Sequence, residues 1–565
     1  MIFYRKFRKL VTKPNLFMHD FLLKRGVELR SIIKNNNPDV KKNPISQTAS
    51  KPKEIIGKKT KEQYIHSRIA LGNMGDVFYA RLSECCKNMN ITFMTGAAPD
   101  KWMHGMHINH SDIKIFSKLL DFWFSDNEKY FVRFKNNIYS IKEAISRKDF
   151  YTQGSFDILC VEKEWYDSNS NTRIYYSSII HFMLWKKLDG YSSESMYSIC
   201  EKNKYIHRLR TPIFDDYMKS YHHIDDDNNI SDVTFPIDVV YTWVDGDDKE
   251  WKVQKDLYST IGTGEYQEQD VDVDVDVDVD VDVDNAGRAF SDERFRNRDE
   301  LLYSLRSLEL YAPFVRNIYI VTCGHYPEWL NELSDKIKLI KHEDIYTNKN
   351  DLPTFNSSGI ETQLHHIPGL SEHFLYLNDD FMFASFCTPD DFFYPNGILK
   401  FFPSEARAYE YDIDDTREEY LIADRNAILL LNEYSNKTSR MIMKHAPYPC
   451  SKSYLYELES KFKKEFLKCS SNKFRNKTDL RPIAFMQYNF GYYDGKAIQS
   501  DISNRYLALY KDSIKAQLNG VFVTRKYKTI CINDVGVTED KLVITNELTR
   551  KFLDSYFPFK SSFEK

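Results

Sequence analysis

Three short apolar runs, each stopping at or near a polar cluster, restrict this chain more than any other feature. Residues 237–244 read Ile-Asp-Val-Val-Tyr-Thr-Trp-Val and stop at Asp245-Gly246. Residues 318–322 form a second run, and residues 374–377 a third that stops at Asn378-Asp379-Asp380. Runs of this length and composition read as buried strands. Between the first two, residues 299–311 place Leu301, Leu305 and Leu308 at helical spacing. Strands alternating with helices specify a largely parallel sheet covered on both faces, an α/β architecture. Ligands of such sheets collect beyond the carboxyl ends of the strands, where Asp245 and the Asn-Asp-Asp cluster fall.

The rest of the chain is organised around that core. At 565 residues it is too long for one ordinary core, and its 42% hydrophobic and 15% aromatic content is enough to bury a large one. Residues 1–33 form a basic amphipathic segment, with Arg5, Lys6, Arg8, Lys9 and Lys13 followed by Leu16, Phe17, Phe21 and Leu22. Such a pattern can lie on an anionic membrane surface or pack as a helix on the body. A linker rich in Lys, Asn, Pro and Ser follows at 34–62. Residues 63–222 read as an α+β accessory domain, with strand-like runs at 129–134 and 156–161, a helix-like run at 113–124, and no catalytic constellation. An acidic linker at 223–234 leads into the main domain, 235–565.

Inside the main domain, residues 270–284 repeat Val-Asp and hold eight aspartates. As a strand, the tract would line one face with carboxylates that repel one another, so it reads as a low-complexity loop insert. The net charge of −4 gives no argument for a nucleic-acid partner. Nine cysteines are scattered without a CxxC pair or Cys/His zinc spacing, which fits a reduced compartment. With neither a long apolar span nor a signal-peptide pattern in the sequence, the expectation is a cytoplasmic protein that can touch the inner face of the cytoplasmic membrane.

Four places can carry chemistry. Asp379 and Asp380 at a strand's end can hold a hard divalent cation, Mg²⁺ or Mn²⁺, against a nucleotide's phosphates; as a bare pattern they also fit a turn with Asx hydrogen bonds. Glu361 and His365 are spaced i, i+4 on an expected helix, where they would be presented together; the spacing alone fits an ordinary surface pair better than a site. His445 in Lys444-His445-Ala446-Pro447 precedes a helical run at 452–468, and Arg475 stands 30 residues further on. Phosphoryl transfer needs a cation or arginine for the oxygens, a base for the attacking hydroxyl and donors that hold the nucleotide. These residues supply a candidate for each role.

Read in order, the motifs resemble a known family. Residues 235–251, FPIDVVYTWVDGDDKEW, resemble the first conserved region of the Stealth family. The second is resembled by residues 294–385, through Arg298-Asp299-Glu300-Leu301, Leu352-Pro353-Thr354-Phe355-Asn356, Ile360-Glu361 and Leu377-Asn378-Asp379-Asp380. Lys444-His445-Ala446-Pro447 resembles the third, and the segment from Phe474-Arg475 to Asp479 resembles the fourth. The family transfers sugar 1-phosphates, and the chain looks most like its bacterial capsular polysaccharide phosphotransferases of meningococcal type.

The resemblance implies a Rossmann-like nucleotide-sugar transferase core with a helical C-terminal part. It matches Glu361, Asp380, His445 and Arg475 to the family's catalytic positions. It places Trp243, Asp245, Arg294, Arg298 and Asn378 at the donor. Some relatives carry a second histidine where this chain has Tyr448.

The expected reaction takes an N-acetylhexosamine 1-phosphate from a UDP-sugar to the hydroxyl of a growing capsular oligosaccharide and releases UMP, with His445 or Asp380 as base. The alternatives are a metal-dependent glycosyltransferase that releases UDP and a non-catalytic subunit of a capsule assembly complex.

Overall fold

In a computed structural model, residues 71–263 and 295–565 are described, apart from 99–103, 127–129, 136, 167–171, 189–194, 200–202, 225–228, 409–418 and 558–559. The amphipathic segment 1–33, the linker 34–62, the Val-Asp tract and Arg294 therefore lie outside the described residues.

Nine strands between Phe93 and Ile224 form one mixed, mostly antiparallel sheet. The expected helix at 113–124 is present as Ile113–Phe124, and it buries Ile113, Phe116, Leu119 and Leu120 against the sheet's core. The expected strands appear as Tyr130–Phe134 and Ser155–Tyr166. Two clusters of buried residues, Phe78 to Leu184 and Met94 to Ile224, belong to this part, while a separate one begins at Val233.

The second part is built on β1 (Ile237–Thr242), β2 (Val315–Thr322), β3 (Ile337–Lys341) and β4 (His373–Asn378). They lie in the order β3-β2-β1-β4, all parallel, and a late strand (Tyr448–Ser451) is added antiparallel to β4. β1, β2 and β4 are apolar because both faces are covered: Val239, Val240, Tyr241, Ile320, Val321, Phe374, Leu375 and Leu377 are buried. Helix α1 (Glu300–Tyr311) supplies part of that cover through Leu301, Leu305 and Leu308, the three leucines read from spacing.

From β1 the chain passes to β2 and β3 on one side, then crosses to β4 on the other. The strand order therefore reverses at the carboxyl end of β1, the crevice where open α/β sheets bind ligands. Register fixes what meets there, since Thr242 lies opposite Val321 on one side and Asn378 on the other.

Asp238 shows that a carboxylate inside an apolar run need not be functional. Near the amino end of β1 and fully buried, it takes the Arg316 guanidinium at 2.8 and 2.6 Å and the backbone N–H groups of Asn317 and Ser371. Every lone pair has a donor, so this charge ties β1 to β2 and to the loop before β4.

Behind the main sheet, β5 (Phe381–Phe383) continues from the Asp pair. It pairs antiparallel with a C-terminal strand (Thr529–Asn533), which runs parallel to Asn504–Ala508. No helix among the described residues is long and apolar enough to cross a membrane.

Candidate active site

The turn after β1 is held from two sides. Gly246 lies so close to residue 295 that a Cβ would sit 2.0 Å from the Phe295 carbonyl oxygen, and its N–H donates to that oxygen at 3.0 Å. Only glycine fits this approach. The Asp245 N–H donates to His325 Nε2 at 2.9 Å, which links the turn to the loop after β2. Trp243 is buried, edge-on to His325, and its indole N–H has no hydrogen-bond partner. These ties bring Arg296 and Arg298 to the same edge.

A group of acidic residues gathers under that edge. Asp379 and Asp380 follow β4, Glu300 opens α1, and Asp534 follows the strand Thr529–Asn533. Cys531 on that strand donates its S–H to Asp380 Oδ2 at 3.2 Å, while Asp380 Oδ1 is buried without a partner. Burial, opposed by the Cys531 hydrogen bond and reinforced by Glu300 and Asp534, pushes Asp380 up to about 7. Burial and then Asp380 raise Asp379 to about 7, and burial and then Asp379 raise Glu300 to about 8. Two cations lie near Asp534: Arg296, at 3.6 Å, and Arg298. The Arg298 guanidinium lies 3.1 Å from Asp534 Oδ2, its side chain is only 8% exposed, and none of its three nitrogens makes a hydrogen bond.

A second group lies beside the first. Helix α2 (Ser357–Glu361) is a single turn, capped by Asn356, whose side-chain oxygen accepts from the Ser358 N–H. The Asn356 amide donates to both oxygens of buried Asp479 at 3.0 Å and to the Phe474 carbonyl at 3.1 Å. Asp479 also receives the Asn476 N–H and the Asn472 amide. This node fixes the 472–481 loop on α2 and sets Arg475 Nη2 3.2 Å from Ser357 Oγ. Arg481, at the end of the loop, lies 3.5 Å from Asp424, a buried residue of the helix Glu419–Ser435.

Glu361 faces these two arginines. Burial raises its carboxyl to about 7, opposed by Arg481, Arg475 and the backbone of Ile483. Ile483 is in the first turn of a π-helical segment, Pro482–Met486, where backbone N–H groups have no partner within the helix.

Between the groups stand His445 and Tyr448. The His445 ring is 6.0 Å from Phe381 and 4.9 Å from Tyr506, and its carbonyl accepts from Asn504. Burial, with the Arg481 charge, lowers His445 to about 4, so near pH 7 the imidazole is neutral and weakly basic. Tyr448 is buried, with its ring 5.6 Å from Phe381, and its phenol lies in the fields of Arg481, Glu361, Cys531 and Asp380.

Asp380, His445, Glu361 and Arg475 are thus assembled around β4 and the strand that follows His445. Trp243, Asp245 and Asn378 line the sheet edge, and Arg298 lies beside Asp534. One expectation fails. Glu361 and His365 do not share a helix face, because α2 ends at Glu361 and a 3-10 turn, Leu364–His366, follows. The Thr362 hydroxyl takes the Gly359 carbonyl, the phase is lost, and buried His365 turns to Glu459. The helical run at 452–468 is likewise two helices, Lys452–Lys461 and Lys463–Ser471, divided at Phe462.

Arg481 and Asp534 were missed as isolated charges. Only the fold shows Arg481 beside Glu361 and His445, and Asp534 beside Arg298. Among the described residues, a group of three with metal-ligand spacing is His365, His366 and Glu459.

Comparison with known proteins places these motifs. Stealth protein conserved regions 1, 2, 3 and 4 match residues 235–262, 294–401, 444–490 and 521–565. Arg475 therefore falls in the third region, and the fourth is the C-terminal segment rather than the Arg475–Asp479 stretch.

An exopolysaccharide phosphotransferase of Streptomyces coelicolor is 36% identical over 60% of this chain and 58% of its own length. Capsular polysaccharide phosphotransferase SacB of Neisseria meningitidis serogroup A is 32% identical over 70% of each chain. The chain spans a third to three fifths of the length of the four Streptomyces relatives it matches. Galactosyltransferase LgtC, in a crystal structure with donor and acceptor sugar analogues, aligns at TM-score 0.28 and 9% identity over 56% of this chain and 96% of its own, too slight a likeness to bear on function. With all four conserved regions in order and SacB matched over most of its length, the chain belongs to the Stealth protein family.

Proposed function

We propose that this protein transfers an N-acetylhexosamine 1-phosphate from a UDP-sugar to a hydroxyl of a growing capsular glycan, forms a phosphodiester and releases UMP. The observation that carries the reading is the meeting, at the carboxyl edge of the parallel sheet, of two carboxyls raised to about 7 with two arginines and a neutral histidine. Relatives named as capsular and exopolysaccharide phosphotransferases support the polymer and the phosphoryl chemistry.

In this reading the donor lies over Trp243, Asp245 and Asn378, and its diphosphate reaches the buried guanidinium of Arg298. Arg294 would add to the clamp from outside the described residues. The acceptor hydroxyl attacks the phosphorus next to the sugar, the bond from that phosphorus to the bridging oxygen breaks, and its electron pair stays on that oxygen, which leaves as part of UMP. Arg475 and Arg481 oppose the charge spread over the transferred phosphoryl oxygens.

The hydroxyl proton passes to Asp380. A base works best with a pKa near the working pH, and Asp380 at about 7 meets that condition whereas His445 at about 4 does not. Neutral His445 orients the acceptor, and Glu361 holds Arg475 and Arg481 in place.

The residues fit a divalent cation only in part. Mg²⁺ is usually held by one or two carboxylates together with substrate phosphates. Asp379 can serve in that way for Mg²⁺ or Mn²⁺, and the ion would neutralise phosphate charge while the partnerless Oδ1 of Asp380 stays open to the proton. We also read residues 63–222 as an accessory domain, since its buried clusters share no member with those of the catalytic part.

The test is to incubate purified protein with a panel of UDP-N-acetylhexosamines and a capsular oligosaccharide and to identify the released nucleotide. UMP supports the proposal. UDP would move the protein to the glycosyltransferases, and no turnover with any pair would favour an assembly subunit.

A further inference from the structure

His365, His366 and Glu459 take no part in the chemistry above, yet their ligand atoms converge. His365 and His366 lie on the 3-10 turn after α2, and Glu459 projects from the helix Lys452–Lys461. Both imidazole Nε2 atoms point at one carboxylate oxygen, Glu459 Oε2, at 2.9 and 3.1 Å. The three ligand atoms lie within 4.8 Å of one another.

Proton counting makes this arrangement informative. The other nitrogen of His366, Nδ1, lies 3.0 Å from the Ile345 carbonyl oxygen, which can only accept. Nδ1 therefore carries the hydrogen, and in neutral His366 the Nε2 lone pair faces a carboxylate. Two lone pairs at 3.1 Å repel, so something positive belongs between them: a second proton on His366, or a metal ion.

The contact on the far side of the His366 ring favours the metal. Metal-binding histidines almost always donate their other N–H to a carbonyl or carboxylate, as His366 does to Ile345. Ligands at about 2.0–2.2 Å from a tetrahedral ion lie roughly 3.3 Å apart, so the two histidine–carboxylate edges, at 2.9 and 3.1 Å, need open by only a few tenths of an ångström, and the edge between the histidines lies within 4.8 Å. Two imidazoles with one carboxylate leave a fourth position for water. Glu459, 25% exposed, and His366, 16% exposed, give an ion a path from solvent, whereas His365 is sealed behind them.

We propose that His365, His366 and Glu459 bind one transition-metal cation of the zinc class per chain, separate from the Asp379–Asp380 carboxylates. The ion displaces the protons from both Nε2 atoms and clamps the turn that follows Glu361 to the helix Lys452–Lys461. Two features weaken the site: Lys452 adds positive charge nearby, and buried His365 Nδ1 has no partner for its hydrogen when Nε2 holds the ion. Imidazole and carboxylate ligands fit Zn²⁺, Co²⁺ and Ni²⁺ better than Mg²⁺.

The test uses the full chain, stripped with chelator and titrated with Co²⁺ and then with Zn²⁺ in competition. Expected are one equivalent of Co²⁺ with the visible absorption of a low-coordinate site, displacement by Zn²⁺, and a higher melting temperature with either ion. His366→Ala and Glu459→Gln should each weaken binding by about tenfold or more, the scale of damage to a metal site's shell. Asp380→Asn should leave the Co²⁺ spectrum unchanged. X-ray absorption of the Zn²⁺-loaded parent should show two imidazoles, a readout that does not depend on whether either variant folds. No stoichiometric binding by the parent would overturn the proposal and leave a protonated His–Glu clasp. So would Co²⁺ binding that survives both substitutions in folded protein, or an absorption spectrum without imidazole.

Discussion

Replacing Asp380 by Asn should stabilise the fold and abolish its chemistry. The substitution keeps the shape and removes the charge. In the folded chain the carboxyl is pushed from 3.8 up to about 7, chiefly by burial. At about 1.4 kcal/mol per pH unit, that gap makes the ionised carboxylate at most about 4 kcal/mol less stable in the fold than in the unfolded chain. The carboxyl edge retains some solvent, and the neighbouring acids relax when one charge is lost, so about 1–2 kcal/mol is the expected gain at pH 8.

The sign follows from the raised value. The parent carries no penalty below about pH 3.8, and the penalty grows until the pH passes 7, where it is complete. Thermal unfolding of parent and Asn variant across pH 5–8 should show a gap that widens with pH to about 2–4 °C at the upper end. Turnover should fall by about 10²-fold or more. A variant less stable than the parent at pH 8, or a gap independent of pH, would refute the reasoning.

Three further outcomes follow. Arg481→Met should lower turnover by about 10²-fold or more, because it removes a charge from the transferred group and leaves Glu361 and Asp424 facing each other; a normal rate would remove Arg481 from the site. Asp238→Ala should cost about 3–5 kcal/mol in unfolding, because it strands Arg316 and two backbone N–H groups, while the folded fraction turns over at the parental rate. Deleting residues 1–33 should spare turnover of a soluble oligosaccharide and reduce binding to anionic vesicles, which sedimentation measures directly; unchanged binding would favour a segment packed on the body.

The parallel core was legible because its cause is local. Strands covered on both faces must be apolar, so residues 318–322 and 374–377 announced themselves, and the leucine spacing of 299–311 gave α1. The Asp pair was legible for the same reason, as a polar cluster at the end of such a run. Asp238 was not, because its role depends on Arg316, 78 residues away. Arg481 and Asp534 were hidden likewise, since a lone charge acquires meaning only from its neighbours across the fold.

The Glu361–His365 spacing misled for a different reason. Its periodicity presupposes a continuous helix, and that helix ends at Glu361 after one turn. Of the two candidate bases, a histidine suits the role by its ordinary pKa, but burial beside Arg481 lowers His445 to about 4. Environment decides such a role, and environment is tertiary.

The central claim is that the bond broken lies between the two phosphates of the donor. The direct measurement supplies a UDP-N-acetylhexosamine radiolabelled at the phosphorus next to the sugar, together with a capsular oligosaccharide acceptor, and follows the label. Phosphoryl transfer places it in the polymer as a phosphodiester, with unlabelled UMP in solution, and Asp380→Asn suppresses both. Label that stays in solution as UDP while sugar enters the polymer would contradict the account.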